Sequence, residues 1–516
     1  MNSESKSIKS VAVIGAGASG TITAAALKAE DCFDRIVVFE RREAPGGTWI
    51  YDADPQPGLP ILPGLLPPEV DTPLKIPHDL PRETPHDTQE RFVKTPIYDE
   101  LTTNVPDIAM CFSDARFAYG PFPPHWVPRQ YLEAYFTHHR LDPLLVANTT
   151  VEDLSRVSST SPSEQWKLTL RKHDKLRGVD IWWQEVFDAV VIANGHYSVP
   201  YVPPVKGLQA YVEKYPGRVV HSKSYRSASL YRGKRVIVIG NSASGFDITN
   251  QVATTAQRPV YQSRRSKGRF DGDHPPDGIV WKPVITEYRL EDGCIMFADG
   301  SSLGFNEVDT VIYCTGYRPS FPFWIAAANG GQALYDNADD KLVGNYWHTF
   351  FYDHPTLALM GMPRTLTFRS FEYQAVAVAR VWAGRAATPL PPVAEQREWE
   401  RDRLAAVRRS GTRFHDVGSP GQGDGTVGGM FEYFQGLYDI AGLGTLRGKG
   451  RVPPVVSDEM MWALEHVKKY PPPKKGKDGG GETDVDSVAV RAEECGEDDG
   501  WVVVNRGHKD CPETVN

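Results

Sequence analysis

Small residues recur with one spacing at two places in this 516-residue chain, Gly15-Ala-Gly-Ala-Ser-Gly20 and Gly240-Asn-Ser-Ala-Ser-Gly245. Such a turn presents backbone amides to a pyrophosphate. Its first glycine makes the tight turn, its second lets the phosphates approach, and its third lets the following helix pack on its strand. The helix opening there adds roughly 0.3 to 2 kcal/mol for a bound anion. The candidate contacts are Gly15, Gly17, Ala18, Ser19 and Gly20 in the first copy, and Gly240, Ser242, Ala243, Ser244 and Gly245 in the second. Asn241 fills the first spacer of the second copy and Ala243 stands for its middle glycine, which makes that copy the looser one. The serines Ser242 and Ser244 either bind pyrophosphate oxygens or cap the helix that starts there.

The elements that must hold these turns are apolar strands, Val11-Ala-Val-Ile14 and Val236-Ile-Val-Ile239, each leading through its turn into a helix. The strands that come next differ in charge. Arg35-Ile-Val-Val-Phe-Glu40 ends in an acid at the distance where ribose hydroxyls are held, and Glu40 repels a 2′-phosphate. Pro259-Val-Tyr-Gln-Ser263 ends without an acid and runs into Arg264 and Arg265, which pair with a phosphate dianion. The first site therefore suits FAD and the second NADPH. A charge-assisted hydrogen bond of about 1.5 to 3 kcal/mol favours NADPH over NADH by roughly ten- to a hundredfold.

Two further segments, Phe187–His196 and Val308–Tyr317, share a pattern of acid, apolar strand and terminal glycine and mark the junctions of an inserted domain. The expected fold is α/β, with two Rossmann-like dinucleotide-binding domains and the NADPH domain inserted into the FAD domain. Residues 1–206 form the first part of the FAD domain, 207–319 the insert, 320–470 the second part with a helical extension, and 471–516 a disordered tail rich in Pro, Lys, Gly, Asp and Glu. Pro355–Gly361 reads as a last strand and Phe371–Ala383 as a helix stopped by Gly384. The proline-crowded stretch Tyr51–Thr95 reads as an extended surface excursion without a helix, either covering the active site or passive.

Composition removes several classes. With 57 Lys and Arg against 65 Asp and Glu, the net charge of −8 offers no basic field to nucleic acid or an anionic membrane. No apolar run is long enough to span a bilayer, and the short polar stretch Met1–Lys9 leaves no room for a targeting peptide, so a cytoplasmic protein is expected. The six cysteines lack a C-x-x-C pair, and His138-His139 and the other histidines show no metal-ligand spacing, so no metal is expected. No G-x-S-x-G, P-loop or paired-carboxylate motif appears, and Trp182-Trp183 reads as packing. The sequence fixes no oligomeric state; a homodimer is allowed.

Tyr215-Pro-Gly-Arg-Val-Val-His221-Ser-Lys-Ser-Tyr225 resembles the F-x-G-x-x-x-H-x-x-x-Y/F fingerprint of flavin-containing monooxygenases. Gly46-Gly-Thr-Trp49, Thr102-Thr-Asn104, Asn194-Gly-His196 and Thr315-Gly-Tyr317 are similar to that family's other motifs and follow its order, over about Ser10 to Ala387, closest to the fungal and yeast-like branch. The closing Tyr225, where Baeyer-Villiger enzymes typically carry Trp, favours heteroatom oxygenation, and the polar tail differs from the apolar anchor of membrane-bound animal members. The resemblance implies hydride transfer from NADPH to FAD, a C4a-hydroperoxyflavin formed with oxygen, and delivery of one oxygen atom to a soft sulfur or nitrogen of a small molecule. On it Asn104 is the catalytic candidate, an amide that donates and accepts without titrating, although Asn before Val-Pro is also good turn chemistry. Gly47, Thr48, Trp49, Thr103, Val151, His221, Tyr225, Thr315 and Gly316 complete the cofactor-binding set, His221 either touching NADP or orienting the interdomain linker. The alternatives are a Baeyer-Villiger or N-hydroxylating enzyme and a redox-silent NADPH-binding regulator.

Overall fold

Val11, Ala12 and Val13 are wholly buried, and Ile14 nearly so, because the strand Ser10–Ile14 runs through the middle of a sheet covered on both faces. The computed structural model describes residues 7–470 except 56–59, 88, 90, 158–163, 364–366 and 419–428; the tail expected over 471–516 lies outside the described residues. Arg35–Phe39 and Ala189–Ile192 flank the central strand in parallel. Leu145–Val146 and Leu357–Leu359 extend the parallel set, and the short antiparallel strands Asn345–Tyr346 and Phe350–Phe351 close one edge of seven. The last strand and the following helix thus appear where the pattern put them, the helix as Thr367–Trp382, with Gly384 just beyond at φ 66°.

Alternation along the central strand sorts the layers. Val11 and Val13 pack with the helices Ala18–Ala29, Trp126–His138 and Thr367–Trp382, whereas Ala12 and Ile14 pack with Trp166, Leu168 and Leu170. The latter three belong to a four-stranded antiparallel sheet ordered Arg82–Pro85, Val179–Phe187, Trp166–Asp174, Thr149–Arg156.

A second, five-stranded parallel sheet runs Val219–His221, Thr310–Tyr313, Val236–Ile239, Val260–Ser263, Ile279–Lys282. All five strands fall in sequence between Ala189–Ile192 and Leu357–Leu359 of the first sheet, so one Rossmann-like unit is inserted into the other. The two crossings between the sheets pair with each other as an antiparallel ribbon, Pro200 opposite Tyr317 and Val199 opposite Arg318.

Two expectations need correction. The helix Ala18–Ala29 is capped by Gly17 and the helix Ala243–Val252 by Ser242, so Ser242, and not Ala243, stands where the first copy has its middle glycine. Ser242 makes no side-chain capping bond, which removes that role for it. The proline-rich excursion is not wholly extended: Pro67–Val70 is a short helix with proline in its first turn, where no amide is needed, and Arg82–Pro85 joins the antiparallel sheet.

Candidate active site

The first glycine turn is built so that side chains cannot enter it. At Gly15, φ is 105° and an added Cβ would lie 2.6 Å from the Ala193 carbonyl oxygen; at Gly20 it would overlap the Gly15 oxygen at 1.8 Å. The segment Gly46–Trp49 crosses over the turn so closely that a Cβ on Gly47, at φ 53°, would come within 2.7 Å of Gly17 Cα. Buried Glu40 ties the neighbouring strand end to the turn: its Oε2 accepts the Ala16 amide at 2.7 Å and its Oε1 the Arg42 amide at 2.8 Å.

These groups open onto a cavity of about 570 Å³. Gly15, Gly17, Ala18, Ser19 and Glu40 line it, as do Gly47, Thr48, Trp49 and Val151 across from them in sequence, while Gly20 packs behind the turn. Its lining also holds Arg41, Arg42, Arg91 and Lys94, and the aromatic rings of Phe368 and Phe371 beside Trp49, with Trp49 and Phe368 edge to face at 6.2 Å. Arg42 is not a free cation, because Asp52 pairs with it through two bonds of 2.9 and 3.1 Å. Burial pushes the carboxyl of Asp71, another lining residue, upward, and Ser320 Oγ donates to it at 2.7 Å.

The second turn repeats the backbone geometry. Gly240 has φ 107° with an added Cβ 2.8 Å from the Cys314 oxygen, and at Gly245 it would meet the Gly240 oxygen at 2.3 Å. Neither this turn nor Arg264 and Arg265 line the 570 Å³ cavity. Arg264 donates to buried Asp271 at 2.7 Å and stacks over Trp281 at 3.4 Å, whereas Arg265 is exposed. Asp271 also accepts from Asn241 Nδ2 at 2.6 Å and from the Gly268 amide at 2.7 Å, so it folds the arginine loop onto the glycine turn.

His221 ends the edge strand of the second sheet, at the same end as the second glycine turn, and is engaged on both nitrogens. Its Nδ1 accepts the Lys223 amide at 3.1 Å, which fixes the proton on Nε2, and Nε2 donates to the Gly316 carbonyl at 3.0 Å. Burial holds this ring neutral, its pKa pulled down to about 3. The Gly316 oxygen also accepts from the Tyr201 amide, and Thr315 Oγ1 donates to the Tyr201 oxygen at 2.5 Å, so these three residues lock the ribbon between the sheets. Tyr225 is buried and donates to Gln251 at 2.8 Å. Thr103 is buried and Asn104 exposed; neither lines the cavity.

Sequence reasoning missed two buried cations. Lys223, 1 % exposed, donates to the carbonyls of Phe92 at 3.1 Å and Ser198 at 2.6 Å. Arg226 donates to the carbonyls of Asp52, Thr95, Lys223 and Tyr225. Together they bind both feet of the excursion to the linker strand, and Phe92 is held at φ 50° there. Burial, with Arg41 and Arg226 adding repulsion, pulls Lys223 down from 10.5 to about 7. The only hint in the sequence was that both fall within or beside the His221–Tyr225 motif.

The description "Flavin-binding monooxygenase-like" matches residues 86–270 and "NAD(P)-binding Rossmann-like domain" residues 13–71. The flavin-containing monooxygenase FMO GS-OX5 of Arabidopsis thaliana is 31 % identical over 392 residues, covering 73 % of this chain and 75 % of that one. The flavin-containing monooxygenase iboF of Amanita muscaria is 28 % identical over 465 residues, covering 78 % and 83 %. Among solved structures, S-allyl-L-cysteine S-oxygenase from Allium sativum aligns with a TM-score of 0.68 at 26 % identity, over 90 % of this chain and 94 % of that one. The chain belongs to the flavin-containing monooxygenases. It is an FAD- and NADPH-dependent monooxygenase, which sets aside the redox-silent regulator. No helix among the described residues is long and apolar enough to cross a membrane.

Proposed function

We propose that this chain oxygenates small soft nucleophiles in the cytoplasm, thioether sulfur ahead of amine nitrogen. The observation that carries the reading is the cavity itself, in which a glycine turn, a ribose-side acid and the rings of Trp49, Phe368 and Phe371 share one lining. Its residues fit FAD: the amides of Gly17–Ser19 suit a pyrophosphate, Glu40 a ribose, and Trp49, Phe368 and Phe371 a flat apolar ring. The crossing of Gly47 over Gly17, too close for a Cβ, brings both segments into one wall of the cavity. Bound there and reduced by NADPH, FAD supplies the activated oxygen. The chain's own part is to hold, orient and exclude water. Gly240–Gly245 and Arg265 receive NADPH, with Arg264 set by Asp271 as a partner for the 2′-phosphate. Asn104 is the amide proposed to face the reacting atoms. His221, Thr315, Gly316 and Tyr225 act as positioning residues that keep the NADPH unit in register. We set that unit at 207–319, within a FAD unit of 1–206 and 320–470.

The S-oxygenase likeness supports sulfur as the first substrate class to try. The test is product analysis with NADPH, oxygen and, in turn, a thioether, a tertiary amine and a cyclic ketone. Sulfoxide formed in near-equal amount to the NADPH consumed supports the proposal. Lactone from the ketone as the main product, or hydrogen peroxide as the only product with every substrate, overturns it.

A further inference from the structure

Three ligand-type side chains converge where the excursion joins the four-stranded sheet. Asp180 is wholly buried, and its Oδ1 faces His86 Nδ1 at 2.9 Å and His173 Nδ1 at 3.0 Å. The two imidazoles lie nearly face to face, their centroids 3.8 Å apart and their planes at 34°. The other carboxylate oxygen is used differently: Oδ2 accepts from the Asp87 amide at 3.0 Å and from Arg171 at 3.1 Å. Those two donors fix the carboxylate and leave Oδ1 to the histidines. Arg171 is itself paired with Glu152 at 2.8 Å, so its charge is divided between two acids.

We propose that His86, His173 and Asp180 bind a divalent first-row transition ion of the zinc class, with water completing its shell. Two imidazole nitrogens and one carboxylate oxygen are a donor set for such ions, whereas magnesium and calcium favour all-oxygen shells. Donors at about 2.1 Å from an ion at tetrahedral angles stand about 3.4 Å from each other, so each Nδ1, now 2.9 and 3.0 Å from Oδ1, opens by roughly half an ångström to admit one. All three donor atoms lie within 4.8 Å of one another. An ion at their common point takes the place of the Nδ1 hydrogens, and each ring then carries its proton on Nε2. Access is open, since His86 is 38 % exposed and borders a groove of about 370 Å³.

The site has a structural consequence. His86 belongs to the excursion, His173 and Asp180 to adjacent strands of the sheet, and His173 also lines the FAD cavity. An ion therefore fastens the excursion to the sheet that walls the cofactor. The sequence pattern held no metal-ligand spacing because His86 and Asp180 are 94 positions apart and meet only through the pairing of Arg82–Pro85 with Val179–Trp182.

The experiment titrates chelator-treated, FAD-loaded enzyme with zinc in competition with a chromophoric chelator, and locates zinc in crystals by anomalous scattering. Expected are one tight equivalent, an anomalous peak at the point shared by the three donor atoms, and no competition from magnesium. Loss of even an outer-shell partner costs about 10- to 100-fold in affinity, so His86→Gln is expected to lower it by at least about 100-fold. The control His138→Gln, at an exposed histidine outside the cluster, binds zinc like the parent. Absence of a tight equivalent, parent-like zinc binding by His86→Gln, equal competition from magnesium, or a peak elsewhere overturns the proposal. Flavin absorbance confirms that each variant is folded.

Discussion

Lys223 offers a prediction with a sign and a magnitude. Its ammonium is buried with only main-chain carbonyls, of Phe92 and Ser198, as hydrogen-bond partners, and burial has brought its pKa from 10.5 down to about 7. Below pH 7 the folded and unfolded chains both carry the proton, and stability is flat with respect to this group. Between pH 7 and 10.5 the unfolded chain keeps a proton that the folded chain has released, so the unfolded state binds more protons and stability rises with pH. The slope approaches about 1.4 kcal/mol per pH step, amounting to about 5 kcal/mol across the window. Lys223→Met keeps the length of the side chain and deletes the titration. It also strands two carbonyls, at about 1–3 kcal/mol each, which roughly offsets the buried charge it removes near neutrality. The variant should therefore match the parent near pH 7 and fall behind by about 2–3 kcal/mol at pH 9. Urea unfolding of the FAD-loaded proteins, followed by flavin fluorescence from pH 6.5 to 9.5, measures the difference. Parallel profiles for parent and variant would refute the reasoning.

Three other perturbations test separate parts of the site. Gly47→Ala places a methyl 2.7 Å from Gly17 Cα at a residue with φ 53°, which adds about 1–2 kcal/mol of backbone strain to the clash; flavin content after dialysis should fall at least about tenfold, and full flavin content would contradict the crossing's role. Arg265→Ala should raise the KM for NADPH and leave that for NADH unchanged with stability intact, whereas Arg264→Ala also unpairs buried Asp271 and should lower stability by about 3–5 kcal/mol; equal losses for both coenzymes would remove the 2′-phosphate assignment. Asn104→Ala should keep FAD bound while diverting NADPH oxidation to hydrogen peroxide, and an unchanged ratio of product to NADPH would reduce Asn104 to a turn residue.

The parts legible in the sequence were those governed by local rules. Strands buried on both faces read as apolar runs, and Gly15, Gly20, Gly240 and Gly245 announced turns that admit no Cβ. The middle position of the second turn belongs to Ser242 by spacing alone, two residues after Gly240 as Gly17 follows Gly15, and the helix start at Ser242 agrees. Lys223 and Arg226 were invisible for another reason: a lysine 131 positions from the carbonyl it binds carries no local mark of burial. The charge contrast between the two dinucleotide sites was read in part only. Arg264 read as a cation for the 2′-phosphate, and it is paired with buried Asp271 and stacked over Trp281. The excursion's two roles, as cavity wall and as bearer of His86, follow from pairing that no proline count foretells.

The ribbon of Val199–Pro200 against Tyr317–Arg318 has a mechanical meaning. Two crossings bonded edge to edge cannot slide past each other as separate tethers could, and His221 Nε2 and the Tyr201 amide, both donating to the Gly316 carbonyl, fasten that joint.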